Sequence, residues 1–283
     1  MKKSFNIFPG SNRLVDGEIP PSSLLLIGPT GVGKTIFCKH FFYNSLLMGE
    51  SCIYVTTNET SEEIKKSMKK FGLDIEQYEK KKLACIVDGC SWKLGRMSSS
   101  EYAIDSQQNY LTAISIKIKK ARQNLKNVQL VFDSVSELTA LSNQDAVLNF
   151  LQVLTARIRL DGRKAIFTVA SGAHDDHFMN LLRLIFDGIL EMKVDDSGKE
   201  IKRLLRIFSL KGARHKTIWT PFEITSKGII VKSKTELRCA LCSKLIDWEP
   251  IVKTIDGKKY AFDSLECVNT YQKFKSIYGS SFE

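Results

Sequence analysis

An α/β architecture built on a mostly parallel sheet follows from three features of the chain. Short β-branched runs alternate with longer amphipathic stretches from residue 22 to about residue 232, the rhythm of parallel strands joined by crossover helices. A glycine-rich octapeptide separates the first such run from the first amphipathic stretch. A later apolar run, Val128 to Phe132, ends in the acidic Asp133.

Taken in order, Ser23 to Ile27 reads as a buried strand and Gly33 to Leu47 as the helix after it. Cys52 to Thr56 is a second strand, Ser61 to Phe71 a helix, and Cys85 to Val87 a third strand. Asn109 to Asn124 carries Leu111, Ile114, Ile118 and Ala121 on one helical face and leads into the strand Val128 to Phe132. Asp145 to Leu160 is a helix and Ala165 to Val169 a strand. His174-Asp175-Asp176-His177 follows in what reads as a loop, where two histidines three apart are weak evidence for a metal. Gly188 to Val194, Leu204 to Leu210 and Gly228 to Val231 read as hairpins extending one sheet edge. A boundary near residue 235 divides the chain into a domain of residues 1–234 and a small module of residues 235–283. The module has two close cysteines, an Asp256-Gly257 turn between short strands, and a final helix from about Ser264 to Tyr278.

Composition narrows the class. The 283 residues are 43% hydrophobic and 26% charged with 6 prolines, which excludes disordered and collagen-like chains. The longest obvious apolar run, Leu24-Leu25-Leu26-Ile27, falls far short of the ~20 residues that span a bilayer. Met1-Lys2-Lys3 is basic, but Ser4, Asn6, Pro9, Gly10 and Ser11 interrupt any secretory apolar stretch, so the expected location is the cytoplasm. A formal charge of +11 admits nucleotide phosphates, nucleic acid or an anionic membrane surface without choosing among them. Lys65-Lys66, Lys69-Lys70 and Lys80-Lys81-Lys82 have the spacing of solvated helix faces. Of seven cysteines, Cys38, Cys52, Cys85 and Cys90 lie in apolar stretches and read as small buried hydrophobes in a reducing compartment.

Gly28-Pro29-Thr30-Gly31-Val32-Gly33-Lys34-Thr35 matches G-x-x-x-x-G-K-[ST] in the context its chemistry needs, after a buried strand and before a helix. Glycines let backbone N–H groups converge on phosphate oxygens, and the helix N-terminus favours the anion. Lys34 supplies a cation at the β/γ-phosphates and Thr35 a hydroxyl for magnesium. Asp133, at the end of a buried strand, is the expected second magnesium partner.

Together with this loop, Gly17-Glu18-Ile19-Pro20, Val131-Phe132-Asp133-Ser134-Val135-Ser136-Glu137-Leu138, Lys211-Gly212-Ala213-Arg214-His215 and Pro221-Phe222-Glu223-Ile224 resemble KaiC-like ATPases of the RecA superfamily over roughly residues 6 to 232. Ile86-Val87-Asp88-Gly89-Cys90-Ser91-Trp92 is similar to the archaeal signal-transduction-type members. The resemblance implies a RecA-type P-loop core, ATP bound with Mg2+ at subunit interfaces, and homo-oligomeric rings, often hexameric.

Two departures bear on turnover. Where the family ends its second strand in a glutamate pair whose members include the base for the attacking water, this chain has Asn58 and Glu59. An amide cannot take the proton, so Glu59 is the remaining candidate, although neighbours on a strand point in opposite directions. In the segment that reaches the adjacent subunit's ATP, Ser209, Lys211, Ala213 and His215 stand where the family has basic residues two apart, then threonine and histidine. Lys211, Arg214 and His215 are the candidate groups in trans, with the alternative that this is an exposed basic hairpin; lysine lacks arginine's bidentate fork.

Near the C-terminus Cys239, Cys242, Asp263 and Cys267 give C-x2-C-x20-D-x3-C, which resembles treble-clef metal modules of the TRASH and YHS type with Asp263 in place of a cysteine. Carboxylate is an acceptable Zn2+ ligand, and i,i+4 spacing puts Asp263 and Cys267 on one helix face. A segment this small wants a staple. Regulatory thiols, incidental cysteines and packing on the larger domain are the alternatives.

The leading expectation is an ATP-binding, slowly hydrolysing regulatory or signal-transducing protein with a metal- or redox-responsive appendage and an unidentified signalling partner. The alternatives are a RecA-like DNA-dependent ATPase of recombination or repair and a non-hydrolysing ATP-bound adaptor. Fewer than 30 residues precede the phosphate loop, and the His174–His177 loop is acidic where DNA-handling RecA relatives track nucleic acid. No arginine and aromatic cluster marks a strand-tracking loop, so DNA is not favoured.

Overall fold

Strand β1 (Ser23–Gly28) is buried along its whole length because its side chains alternate between two cores, Leu24 and Leu26 facing one and Leu25 and Ile27 the other. In β2 (Cys52–Thr56), Tyr54 faces the first core and Ile53 and Val55 the second. A strand covered on both faces has no solvated positions, hence the unbroken apolar runs. The computed structural model describes residues 14–16, 19–95, 98, 100–197, 201–226, 228–231, 238–244, 246 and 250–279. Gly17, Glu18 and the expected boundary near residue 235 lie outside them. The chain divides into two compact units, Met1–Lys232 and Ser233–Glu283.

In the first unit β1 is followed by α1 (Lys34–Leu47), β2, α2 (Ser61–Lys70), α3 (Glu76–Lys80), β3 (Ala84–Asp88), α4 (Tyr110–Gln123), β4 (Gln129–Asp133), α5 (Leu138–Leu141), α6 (Gln144–Leu160), β5 (Ala165–Ala170) and α7 (Asp176–Ile185). Strands β6 (Gly188–Asp195), β7 (Lys202–Leu210), β8 (Thr220–Thr225) and β9 (Gly228–Val231) complete it. The sheet order is β3-β2-β4-β5-β1-β6-β7-β8-β9. Its first six strands are parallel and the remaining pairings antiparallel. Helices α1 and α2 close one core with Phe37, Phe41, Phe42, Ile64 and Met68. Helices α4, α6 and α7 close the other with Ile114, Leu151, Phe178 and Leu182. Gly28, Thr56, Asp88, Asp133 and Ala170 thus end parallel strands along one edge, where open α/β sheets bind ligands.

The His174–His177 stretch is not wholly a loop. Asp175 caps α7, its side chain accepting from Phe178 N, so Asp176 and His177 form the first helical turn. The helix holds because Phe178, Met179, Leu182 and Ile185 bury one face. No helix among the described residues is long and apolar enough to cross a membrane.

The second unit consists of an antiparallel hairpin, β10 (Ile251–Ile255) and β11 (Lys258–Phe262), and the helix α8 (Leu265–Tyr278). Asp256 and Gly257 both have positive φ, 49° and 76°, as a two-residue hairpin turn requires. Ser264 caps α8 by accepting from Cys267 N. Among the described residues the core here is Cys239, Phe262, Val268 and Tyr271, with partly buried neighbours.

Candidate functional sites: a phosphate loop and a thiol cluster

The loop between β1 and α1 has a backbone that only glycine supplies cheaply. Gly31 and Gly33 adopt φ +79° and +116°, and a Cβ on Gly33 would stand 2.9 Å from Ile224 Cδ1 of β8. Val32, fully buried, pins the loop to the core. Lys34 folds back into it, its Nζ donating to the carbonyls of Gly28 (2.7 Å) and Pro29 (2.9 Å). Burial holds the Lys34 pKa below its ordinary value, and the Asp133 carboxylate offsets part of that. Pro29 and Thr35 are half-buried and Thr30 is exposed.

Asp133 is 5% exposed at the end of β4. Tyr54 Oη donates to its Oδ2 (3.0 Å) and Thr168 Oγ1 to its Oδ1 (2.6 Å). These bonds come from the flanking strands and orient the carboxylate. Thr57 ties the ends of β2 and β4 together, its N–H donating to Asp133 O (2.9 Å) and its Oγ1 accepting from Ser134 N (2.8 Å). Beyond them, Ser136 Oγ accepts from Ala170 N (2.9 Å) and lies 3.0 Å from His174 Nε2, and burial lowers the His174 pKa. His177 is exposed.

Asn58 is exposed two residues beyond the end of β2, and Glu59 next to it is half-buried. Both Glu59 carboxylate oxygens accept from Lys39 Nζ of α1, at 2.9 and 3.2 Å, and Lys39 also donates to Ser67 Oγ of α2 (2.6 Å). Lys211 lies exposed in the turn after β7, its N–H donating to Asp187 O (2.9 Å), and Arg214 is likewise exposed. His215 pairs with Val15 in an isolated bridge, with its Nδ1 3.0 Å from Ala213 O. Sequence reasoning missed Lys39, Tyr54, Thr168 and Ser67, whose polar atoms sit inside apolar or amphipathic runs and acquire partners only through the fold.

In the second unit Cys239, Cys242, Asp263 and Cys267 converge, one ligand atom from each lying within 4.8 Å of every other. Cys242 Sγ is 3.7 Å from Asp263 Oδ2 and 4.0 Å from Cys267 Sγ. Although burial opposes it, backbone N–H donors from Cys242, Asp263 and Leu241 hold the Cys239 thiol below its ordinary pKa. The Asp263 carboxylate pushes Cys267 up to about 12 and is itself lowered, first by Cys267 and then by Cys239. Three soft sulfurs and one hard oxygen at this spacing form a donor set for a thiophilic ion. Cys38, Cys52, Cys85 and Cys90 are buried in the first unit, and burial raises each thiol, Cys85 to about 12.

Comparison with known proteins bears on the first unit. The chain is 30% identical over 225 residues to a UPF0273 protein of Thermotoga maritima, covering 79% of this chain and 93% of that protein. It is 31% identical over 229 residues to a UPF0273 protein of Pyrococcus horikoshii, covering 79% and 91%. The crystal structure of a KaiC-like protein from Pyrococcus horikoshii superposes with a TM-score of 0.65 at 25% identity, covering 82% of this chain and 99% of that one. The profile of the family described as "ATPase: KaiC" matches residues 8–236. This chain belongs to the KaiC family of ATPases.

Proposed function

We propose that the protein is an ATP-dependent regulator, a KaiC-like ring-former that binds Mg-ATP, turns it over slowly, and carries a thiophilic ion in its C-terminal unit. The observation that carries slow turnover is the pairing of Glu59 with Lys39. With Asn58 an amide and Glu59 engaged on both oxygens, neither member of the expected pair is free to take a proton from water. Binding is supported by the loop. Lys34 leaves the Gly28 and Pro29 carbonyls for the β/γ-phosphates, and the loop N–H groups of Thr30 to Thr35 face the phosphate oxygens. Thr35 and Asp133, directly or through water, would hold a magnesium ion, which would supply neutralisation of phosphate charge. In a ring, Lys211 and His215 are the groups of this chain offered to the neighbour's nucleotide.

The second unit is read as a Zn2+ module held by Cys239, Cys242, Asp263 and Cys267, and its family likeness to treble-clef modules rests on that ligand pattern. Calorimetric titration with Mg-ATP, with sizing in its presence and absence, tests the nucleotide reading. Lys34→Ala abolishes binding, and wild-type protein assembles with ATP; unchanged affinity in the variant overturns the assignment. Elemental analysis of protein purified without a metal-affinity tag tests the zinc reading.

A further inference from the structure

The C-terminal cluster contains three oxidisable groups and one that is not, all within 4.8 Å of one another, and exposure distinguishes a pair among the three sulfurs. Cys267 Sγ and Cys242 Sγ are 4.0 Å apart. Cys242 is exposed and Cys267 half-buried, whereas Cys239 is 2% exposed. Cys239 is also fixed within a tight knuckle. Its N–H donates to Lys244 O (2.8 Å), its carbonyl accepts from Ser243 N (2.9 Å), and Ala240 N donates to Ala261 O (2.9 Å). Cys242 and Cys267 instead come from separate segments, the knuckle and the first turn of α8. Closing a disulfide needs S–S near 2.05 Å, a shift of about 2 Å that rotation of an exposed side chain supplies. Asp263 occupies the place of a fourth thiol, so one disulfide at most forms among the three cysteines, and the exposure of Cys242 and the partial exposure of Cys267 against the burial of Cys239 favour theirs.

We propose that Cys242 and Cys267 are a peroxide-reactive pair whose oxidation to a disulfide removes two of the four ligands and expels the bound metal. The expulsion rests on the zinc reading above; the disulfide does not. Cys242 thiolate attacks hydrogen peroxide, an S–O bond forms, the O–O bond breaks, and the departing hydroxide takes a proton to leave as water. Cys267 sulfur then attacks the resulting sulfenic acid. The S–S bond forms, the S–O bond breaks, and the hydroxyl leaves as a second water with the thiol proton. Two thiols give up two electrons and the peroxide accepts them. Cys239 and Asp263 remain, too few to hold a closed tetrahedral shell.

The test uses the full chain, loaded with one equivalent of zinc and, in parallel, stripped with EDTA. Both samples are treated with hydrogen peroxide. Free thiols are counted, zinc release is followed with a colorimetric chelator, and peptides are mapped by mass spectrometry without reduction. The expected result is loss of two thiols per chain in both samples, one cross-link joining the Cys242 and Cys267 peptides, and stoichiometric zinc release from the loaded sample, all reversed by dithiothreitol. Cys239→Ser keeps the cross-link, and Cys242→Ser and Cys267→Ser each abolish it. A cross-link containing Cys239, or sulfinic acid with no cross-link, overturns the pair, and zinc retained after cross-linking overturns the expulsion. A protein that takes up no zinc yet forms the Cys242–Cys267 cross-link upholds the pair and overturns the zinc reading alone.

Discussion

Lys39 and Glu59 form an ion pair of two contacts, 2.9 and 3.2 Å, with the lysine 3% exposed between α1 and α2. For Glu59 to take a proton from water it must abandon a buried cation that also donates to Ser67 Oγ. The glutamate is therefore a structural counter-ion before it is anything else.

Substitutions at these neighbouring positions separate the two roles. Asn58→Glu restores a carboxylate at an exposed position and raises ATP turnover, with a general base worth about 10²- to 10⁴-fold. Glu59→Gln leaves turnover near wild type and costs about 1–3 kcal/mol of stability, because the amide oxygen can still accept but the buried Lys39 cation loses its counter-charge. Steady-state turnover beside urea unfolding reads both. A turnover lost in Glu59→Gln at unchanged stability would show that Glu59 is the base.

A second contact ties α1 to the last hairpin of the sheet. His40 Nε2 accepts from Ile229 N (3.1 Å), and a Cβ added to Gly228, at φ +86°, would lie 1.5 Å from that nitrogen. His40 is 3% exposed and has nowhere to move. Gly228→Ala is expected to cost about 3 kcal/mol or more through overpacking and strain combined. Gly49→Ala, at φ +79° with open space around the new Cβ, is the control and costs about 1–2 kcal/mol from backbone strain alone. Equal losses in chemical denaturation would exclude the packing argument.

Asp88 contributes to the pH dependence of the first unit. It is fully buried at the end of β3. Burial pushes its pKa up, but hydrogen bonds from Ser91 Oγ and from the N–H groups of Ser61, Ser91 and Cys90 outweigh this and leave it below the usual carboxylate range. A carboxyl whose pKa is lower in the folded state stabilises fully above its unfolded value, near 3.9, and that contribution disappears as pH falls through the folded value. Asp88→Asn therefore lowers stability at neutral pH and flattens the acid limb below about pH 4. Urea midpoints at pH 7, 5 and 3 measure it; a wild-type acid slope in the variant would assign the dependence elsewhere.

The parallel core was legible because β-branched runs buried on both faces leave an unbroken apolar signature, so the ends of β2 came out residue for residue and those of β1 within one. Helix α7 was not, since Asp175, Asp176 and His177 have the composition of a loop; only Asp175 as a cap three residues before Phe178 betrays the start. The phosphate loop reads locally because its chemistry needs consecutive residues. Lys39 with Glu59 and His40 with Ile229 do not, because each contact joins side chains of one element to a distant one, 20 and 189 residues away. Neither amphipathic spacing nor residue type distinguishes a lysine on a solvated helix face from one sealed under a neighbouring helix.

Among the described residues of the second unit the core is four buried residues, one of them Cys239 itself, which is little apolar area for a segment this small. Metal binding is then folding free energy for this unit. Zinc addition should increase the hydrogen-exchange protection of amides in this unit, and EDTA should return it to the lower metal-free level while leaving the first unit unchanged. Cys239→Ser should stay at the metal-free level of protection even with zinc, whereas Asp263→Ala should bind zinc more weakly and keep part of the increase. The pH dependence has a definite sign. With Cys267 raised to about 12 by the Asp263 carboxylate, the metal-free site holds a proton on that sulfur at neutral pH, and the metal must displace it. Affinity measured by chelator competition should therefore rise with pH, by about tenfold per unit for each proton released. Asp263→Ala removes a ligand but leaves Cys267 an ordinary thiol, still protonated at neutral pH, so its affinity should be lower with a similar slope between pH 6 and 8. An affinity independent of pH between 6 and 8 in the wild-type protein would mean that the thiols are not the ligands.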